Sequence, residues 1–199
     1  MQPQDLQRRR LLALAAGAGL AACSKQEGEG AQKTAASAPA QAASDPQQAY
    51  RLAATGTGIA VGQTLSAYPV RVFFDPQCPH CATLWFSAKA LWPRARFEWM
   101  PVGVLGAASL PLAAALLSDP DPAAAMDRHE AQIHANTRPE PPAKVDAAAR
   151  AKVEANNALF EKLGGDSVPT FFFRHASLGQ YGRHAGAMET EDLRQLLGV

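Results

Sequence analysis

The chain has 199 residues, of which 47% are hydrophobic and 19% charged, a length that suits one globular domain with leader and linker segments. Nineteen basic residues against 18 acidic ones give a formal net charge of +1, which lacks the excess of positive charge typical of nucleic-acid binding, so we expect no nucleic-acid partner. Three cysteines are too few for the disulfide scaffold of a small secreted protein.

The N-terminal segment carries the pattern of a lipoprotein leader. Arg8 to Arg10 precede an apolar run of 12 residues, Leu11 to Ala22, which has signal-peptide length and is too short to span a bilayer as an ordinary helix. The run ends in Leu-Ala-Ala directly before Cys23, which resembles a bacterial lipobox. We therefore predict a signal peptide at 1–22 and lipidation of Cys23, with an ordinary secreted protein as the alternative. The arginines leave open whether export follows the general or the twin-arginine route.

Either route leads out of the cytoplasm, where disulfides persist. Ser24, directly after the predicted lipid site, favours the outer membrane in Gram-negative bacteria. Residues 23–46 are mostly Ala, Gln, Ser, Gly, Lys, Glu and Pro without an aromatic residue, which predicts a disordered tether. We therefore predict a periplasmic lipoprotein, anchored to a membrane by its N-terminal lipid, whose folded domain occupies residues 47–199.

The folded part alternates between strand and helix patterns. In chain order the predicted elements are a short helix (Gln47–Ala54), a buried strand (Val70–Phe74), a helix (Cys78 to Trp92), a strand (Arg96–Val102), three helices (Leu110–Leu117, Pro122–His134 and Pro142–Leu163), two strands (Val168–Phe173 and Leu178–Arg183) and a closing helix (Thr190–Leu197). A strand-helix-strand unit, a hairpin and a last helix predict an α/β layer architecture. The helical block at about 103–165 lies between its two halves.

A C-x-x-C motif, Cys78-Pro79-His80-Cys81, lies at a predicted junction between strand and helix. The helix N-terminus stabilises an anion, which lowers the pKa of the Cys78 thiol, and Pro79 suits the first turn of the helix. Cys81, nearly one turn further on, is placed to resolve a mixed disulfide formed by Cys78. A positive charge on His80 would stabilise the thiolate and make the disulfide more oxidising. The spacing therefore predicts a redox-active cysteine pair.

Three other interpretations of the motif stay open. An inert disulfide would close a ring of four residues and gain little stability. A copper or haem site is the second alternative, although a c-type haem site would need a histidine directly after Cys81, which is absent. A zinc site would need further ligands from the later histidines, whose spacing matches no zinc pattern: His129, His134, His175 and His184. We expect no metal and no cofactor.

A second candidate element is Val168-Pro169, at the start of a predicted strand. The residue before a proline adopts extended geometry. If the peptide bond is cis, the backbone of Val168 can face the thiols and bind an extended peptide by strand-like hydrogen bonds. Spacing alone favours the trans form, a proline that starts an edge strand.

The segment from Phe74 to Cys81 resembles the active-site stretch of the DsbC/DsbG thiol:disulfide interchange proteins, which are periplasmic enzymes of thioredoxin fold. Met100–Leu105, residues 113–120 and Gly164–Thr170 also resemble the DsbG type, so the resemblance covers roughly residues 65–199. It implies a thioredoxin-like fold, in which helices flank a central mixed sheet and a helical subdomain is inserted.

The resemblance also implies the roles of individual residues. Cys78 becomes the nucleophile, Cys81 the resolving thiol and Val168-Pro169 the cis-proline loop that binds substrate. The implied reaction is thiol:disulfide exchange with cysteine-containing proteins, with a further redox partner that recycles the pair and no cofactor.

Three departures from the family bear on this interpretation. Only residues 47–64 lie between the predicted tether and the matching region, too few for the family's N-terminal dimerisation domain, so we expect a monomer. Cys-Pro-His-Cys with Val168 before the proline resembles the oxidase DsbA, which leaves the direction of exchange open. Thioredoxins place a buried acid six positions before the first cysteine, where this chain has Val72. The alternative function is a thioredoxin-fold lipoprotein that binds a client protein or a metal without redox turnover.

Overall fold

The structure is a computed structural model that describes residues 45–199. The predicted leader, Cys23, Ser24 and the tether up to residue 44 lie outside the described residues. Within them the elements, in chain order, are α1 (Pro46–Ala53), β1 (Ile59–Gly62), β2 (Val70–Phe74), α2 (Pro79–Lys89), β3 (Arg96–Pro101), α3 (Ser109–Ser118), α4 (Pro122–His134), α5 (Ala147–Lys162), β4 (Thr170–Arg174), β5 (Tyr181–Ala185) and α6 (Thr190–Leu197). The predicted α/β layer architecture is confirmed.

The strands form one mixed sheet in the order β1-β3-β2-β4-β5. β2 and β3 are parallel and are joined by α2, whereas β1, β4 and β5 each pair antiparallel with their neighbours. Phe73, near the end of β2, pairs with Thr170 at the start of β4. This register places the C-x-x-C motif, which follows β2, beside the Val168-Pro169 loop, which precedes β4.

The two faces of the sheet bury alternate residues of each strand. Val72, Phe74 and Phe171 belong to a cluster covered by α2, α4 and α6, and Phe73 and Phe172 belong to a cluster covered by α1 and α5. β2 is buried along its whole length, as a central strand with both faces covered requires. The cysteine pair belongs to the first cluster, so α4 and α6 share its surroundings.

Three helices fill the chain between β3 and β4. α3 packs on α5 through small buried residues, among them Ala114 and Ala149. α4 instead packs on α2, where the indole Nε1 of Trp85 donates to Asp127 Oδ1 at 2.8 Å. This packing brings the middle of α4 to the helix that begins at the C-x-x-C motif. No helix within residues 45–199 is long and apolar enough to cross a membrane.

Two predicted helix boundaries were wrong for reasons of local geometry. α2 ends at Lys89 rather than at Trp92, because the residue before Pro93 disfavours helical backbone. α5 begins at Ala147 rather than at Pro142, because Asp146 caps it with a side-chain bond to the N–H of Ala149 at 2.7 Å.

At the N-terminus, α1 begins one residue before the predicted helix. The Asp45 side chain accepts from the N–H of Gln47 at 2.9 Å, and Pro46 occupies the first helical position. These two residues therefore belong to the helix and its cap, although the predicted tether included them.

The predicted strands needed three corrections as well. β4 begins at Thr170 rather than at Val168, because Val168 and Pro169 belong to the loop before the strand. β1 was missed because it has four residues, of which only Ile59 and Val61 are buried. β5 lies at Tyr181–Ala185 rather than at 178–183, because a turn occupies the earlier positions. In that turn the N–H of His175 donates to the carbonyl of Gln180 at 2.7 Å.

Candidate active site

Cys78 lies where β2 gives way to α2. After the strand, the N–H of Gln77 donates to Asp75 Oδ1 at 2.9 Å and the N–H of Cys78 donates to the Asp75 carbonyl at 3.0 Å, which turns the chain. Cys78 then takes the cap position of α2 with extended backbone, and Pro79 is the first helical residue. Its sulfur therefore lies at the positive end of the helix dipole.

The carboxylate of Asp75 fixes this loop. It is fully buried, and each of its oxygens accepts two hydrogen bonds. Besides Gln77, the donors are the Ser109 hydroxyl at 2.8 Å and the N–H groups of Val104 and Leu105 at 2.8 and 2.9 Å. The loop before the cysteines is thereby tied to the loop after β3 and to the start of α3.

The Cys78 thiol is 4% exposed and donates to the carbonyl of Val168 at 3.4 Å. A hydrogen bond from the Cys81 thiol lowers the pKa of Cys78 to about 7, helped by the backbone N–H groups of Cys81 and His80. Burial and the charge of Asp75 oppose this shift. A sizeable fraction of Cys78 is therefore thiolate at neutral pH.

Cys81 has the opposite character. It is fully buried, and this burial, followed by its hydrogen bond to Cys78 and the charge of that residue, raises its pKa well above the ordinary value. Both cysteines are free thiols in the structure. The pair thus combines one thiol that ionises readily with a second that holds its proton.

The Val168-Pro169 peptide bond is cis, as the family resemblance implies. The loop is closed on both sides, because the Thr170 hydroxyl donates to the Ser167 carbonyl at 2.7 Å and the N–H of Gly186 donates to the Pro169 carbonyl at 2.7 Å. The carbonyl of Val168 consequently faces the Cys78 sulfur, and the structure brings the two predicted elements together.

The two residues between the cysteines are both exposed. Pro79 lines a cavity of about 380 Å³ together with Gln77, Leu105, Ile133 and Arg138 among others. The backbone of His80 helps to lower the pKa of Cys78. Within the described residues there is no group of three or more His, Cys, Asp or Glu side chains that could hold a metal ion.

Two residues of α4 lie near the cysteine pair: His129, named from the sequence only as a possible zinc ligand, and Glu130, which was not named. The ring Nε2 of His129 donates to the Pro76 carbonyl at 2.7 Å, since a carbonyl can only accept. Burial lowers the pKa of His129, which keeps the ring neutral. Glu130 is 1% exposed, and burial, followed by the charges of Cys78 and Asp75, raises its pKa well above the ordinary value.

The sequence contained a signal for Glu130. It stands four residues after Met126 and three before Ile133, so it falls on the buried face of α4. A charged residue at such a position is uncommon, and a chemical role is one of the few reasons for it.

Comparisons with known proteins identify relatives of the chain, although no protein-family model matches it. Over 143 residues it is 33% identical to the thiol:disulfide interchange protein DsbG of Pseudomonas aeruginosa, a match that covers 70% of this chain and 55% of that protein. The chain therefore spans about half the length of this curated relative.

Among solved structures, Proteus mirabilis ScsC in a transitional conformation superimposes with a TM-score of 0.63 at 18% identity, covering 77% of this chain and 79% of that one. A periplasmic thioredoxin-like protein from Salmonella enterica serovar Typhimurium gives a TM-score of 0.55 at 16% identity, with 76% and 93% covered. The predicted thioredoxin-like fold is thereby confirmed, and the sequence similarity to DsbG supports the DsbC/DsbG type for this chain.

Proposed function

We propose that this protein is a thiol:disulfide oxidoreductase that exchanges disulfides with cysteine-containing proteins through Cys78 and Cys81. The observation that carries the proposal is the placement of the two thiols, since Cys78 caps α2 and faces the Val168 carbonyl at 3.4 Å whereas Cys81 is fully buried. The pKa of Cys78 is lowered to about 7 at a helix N-terminus, whereas burial raises that of Cys81. An inert disulfide or a packing cysteine needs no such difference.

The exchange proceeds in two steps that need no cofactor. The Cys78 thiolate attacks one sulfur of a substrate disulfide, a mixed disulfide forms, and the other substrate sulfur leaves as a thiolate. Cys81 then loses its proton and attacks the Cys78 sulfur, which breaks the bond to the substrate and forms the Cys78–Cys81 disulfide. Two electrons pass from the pair to the substrate, and the oxidised pair runs the same steps in reverse.

Val168 and Pro169 are the proposed substrate-binding residues. The Val168 carbonyl lies 3.4 Å from the attacking sulfur, so a peptide strand beside it would present its disulfide to Cys78. The cavity lined by Pro79 and Gln77, the neighbours of Cys78 in the chain, offers room for a substrate side chain.

The direction of exchange follows from the degree of thiolate stabilisation. A pKa of about 7 for Cys78 matches the thioredoxin type, whereas the strongly oxidising type has a thiol pKa of about 3.5. We therefore propose that the Cys78–Cys81 pair acts mainly as a reductant. Pro79 and His80 then make its disulfide more oxidising by a smaller amount than the motif alone predicts. A second redox partner must then supply electrons to the pair.

The proposed location is the periplasm. The leader pattern at 1–22 and the similarity to DsbG and to a periplasmic thioredoxin-like protein support it. We propose that lipid on Cys23 anchors the protein, that Ser24 directs it to the outer membrane and that the domain acts as a monomer.

The test is exchange with a peptide disulfide, measured with three serine variants of the full chain. Cys78→Ser should abolish exchange, because it removes the nucleophile. Cys81→Ser should stop at a mixed disulfide on Cys78, visible by mass spectrometry. Cys23→Ser is the matched control and should exchange like the wild type in solution. Retention of dithiol exchange by Cys78→Ser would overturn the proposal.

A further inference from the structure

Glu130 is a buried acid without a hydrogen-bond partner among the described residues. The residue is 1% exposed, and neither carboxylate oxygen accepts a hydrogen bond from the part of the chain that the structure describes. Burying a charged carboxylate in this way costs several kcal/mol, so the group favours its protonated form. Its proton can be lost only when a neighbouring group changes charge or takes it up.

The packing of α4 places this carboxyl near the cysteine pair. His129 holds the helix to the carbonyl of Pro76, which lies within the turn that leads to Cys78. Met126, four residues before Glu130 and therefore on the same face of the helix, is buried in one cluster with Cys78 and Cys81.

The charges around Glu130 show the same proximity. The negative charges of Cys78 and Asp75 raise the pKa of Glu130, and Glu130 in turn raises the pKa of Cys81. The titratable groups that interact with it are thus the two thiols at the start of α2 and Asp75 in the loop before them, and His129 is its neighbour along α4.

The other candidates for a proton carrier are already engaged or exposed. Both oxygens of Asp75 accept two hydrogen bonds each, so protonation would break contacts that fix the loop. The Nε2 of His129 is committed to Pro76, and His80 lies on the surface. Val72 occupies the position six residues before the first cysteine, so no acid stands there.

We propose that Glu130 is the internal proton carrier for Cys81, an inference that rests on the proposed thiol:disulfide exchange. When the pair reduces a substrate, Cys78 enters a mixed disulfide and its negative charge disappears, so that Glu130 releases its proton to solvent and becomes a carboxylate. The Glu130 carboxylate takes the proton of the Cys81 thiol as Cys81 attacks the Cys78 sulfur. The Cys78–Cys81 bond forms, the bond from Cys78 to the substrate breaks and the substrate sulfur leaves as a thiolate.

The same proton returns when the pair oxidises a substrate. A substrate thiolate attacks Cys78, Cys81 leaves as a thiolate, and protonated Glu130 neutralises it. Glu130 regains its proton from solvent between turnovers. A buried thiolate at Cys81 is thereby avoided in both directions.

The experiment follows the two steps of exchange separately in full-length Glu130→Gln, with the exposed Glu154→Gln on α5 as matched control. Reduced protein is mixed with an excess of peptide disulfide and quenched with an alkylating agent over a range of pH. In Glu130→Gln the mixed disulfide should form at the wild-type rate but resolve about 100-fold more slowly near neutral pH, since general acid–base transfer is lost. Its resolution rate should rise in proportion to hydroxide, because solvent must then take the proton.

The outcomes separate the two proposals. Resolution of Glu130→Gln at the wild-type rate and with the wild-type pH profile would overturn the role of Glu130 and leave the exchange function intact. The absence of any mixed disulfide on Cys78 in Cys81→Ser would overturn the function itself.

A measurement on the wild type keeps the inference testable if the variant does not fold. The infrared band of the protonated carboxyl should change between the oxidised and reduced protein, and it should move in Glu130→Asp. A band insensitive to the redox state of the pair would contradict the proposal.

Discussion

Cys78 and Cys81 are chemically distinct because each has a different backbone and solvent environment. Cys78 caps α2 and receives a hydrogen bond from Cys81, whereas Cys81 lies inside the helix and away from water. The sequence predicts that Cys78 caps α2, because the Asp-Pro break and Pro79 mark the start of a helix. The dominant contribution of the Cys81 thiol was not predictable, since it depends on how closely the two side chains approach.

The first prediction concerns the pH at which Cys78 ionises. The rate of its alkylation should rise with pH with a midpoint at about 7, because the Cys81 hydrogen bond and the backbone N–H groups stabilise the thiolate. Cys81→Ala removes the largest of these contributions and should move the midpoint towards that of an ordinary thiol. Mass spectrometry of the alkylated peptide measures both. A wild-type midpoint at a pH of about 3.5 would instead indicate a thiolate of the strongly oxidising type.

At the scale of elements, the site is held by contacts between loops that the sequence does not place together. The strand, the loop and α2 were predictable from the apolar run, the Asp-Pro break and the helical pattern. The ties from Asp75 to residues 104–105 and to Ser109 were not, since they join parts of the chain about 30 residues apart. α4 was predicted with the correct boundaries, but not its contact with Pro76.

Asp75→Asn tests the importance of these ties for stability. An amide has only one acceptor oxygen. In the variant, its N–H₂ group would face N–H or hydroxyl donors that point at a carboxylate oxygen in the wild type. We expect a loss of about 3 kcal/mol in the free energy of unfolding, since hydrogen bonds to a charged group are broken and a buried donor is left unpaired. The urea midpoint should fall with an unchanged slope. Glu154→Gln, an exposed change, should leave it where it is, and an unchanged midpoint in Asp75→Asn would contradict the interpretation.

Across the whole molecule, long apolar or amphipathic stretches of sequence specify most of the fold, which is why the α/β architecture was predictable. β1 was missed because four residues with two buried side chains give little periodic signal. The proximity of Cys78 to Val168 followed from the family resemblance rather than from spacing, because it arises only when β2 and β4 pair. Glu130 was missed, although its place on the buried face of α4 was a signal, because its proximity to the cysteines arises only when α4 packs on α2.

The most direct test of the account is a redox titration of the Cys78–Cys81 pair in the full chain against glutathione buffers, with the disulfide quantified by mass spectrometry. We predict a reversible two-electron transition at about −200 to −270 mV, the range of proteins whose thiols are stabilised to a similar degree. A transition at about −120 mV would contradict the proposed reducing direction. A pair that stays fully oxidised or fully reduced across the whole range would contradict the central claim that these cysteines exchange disulfides.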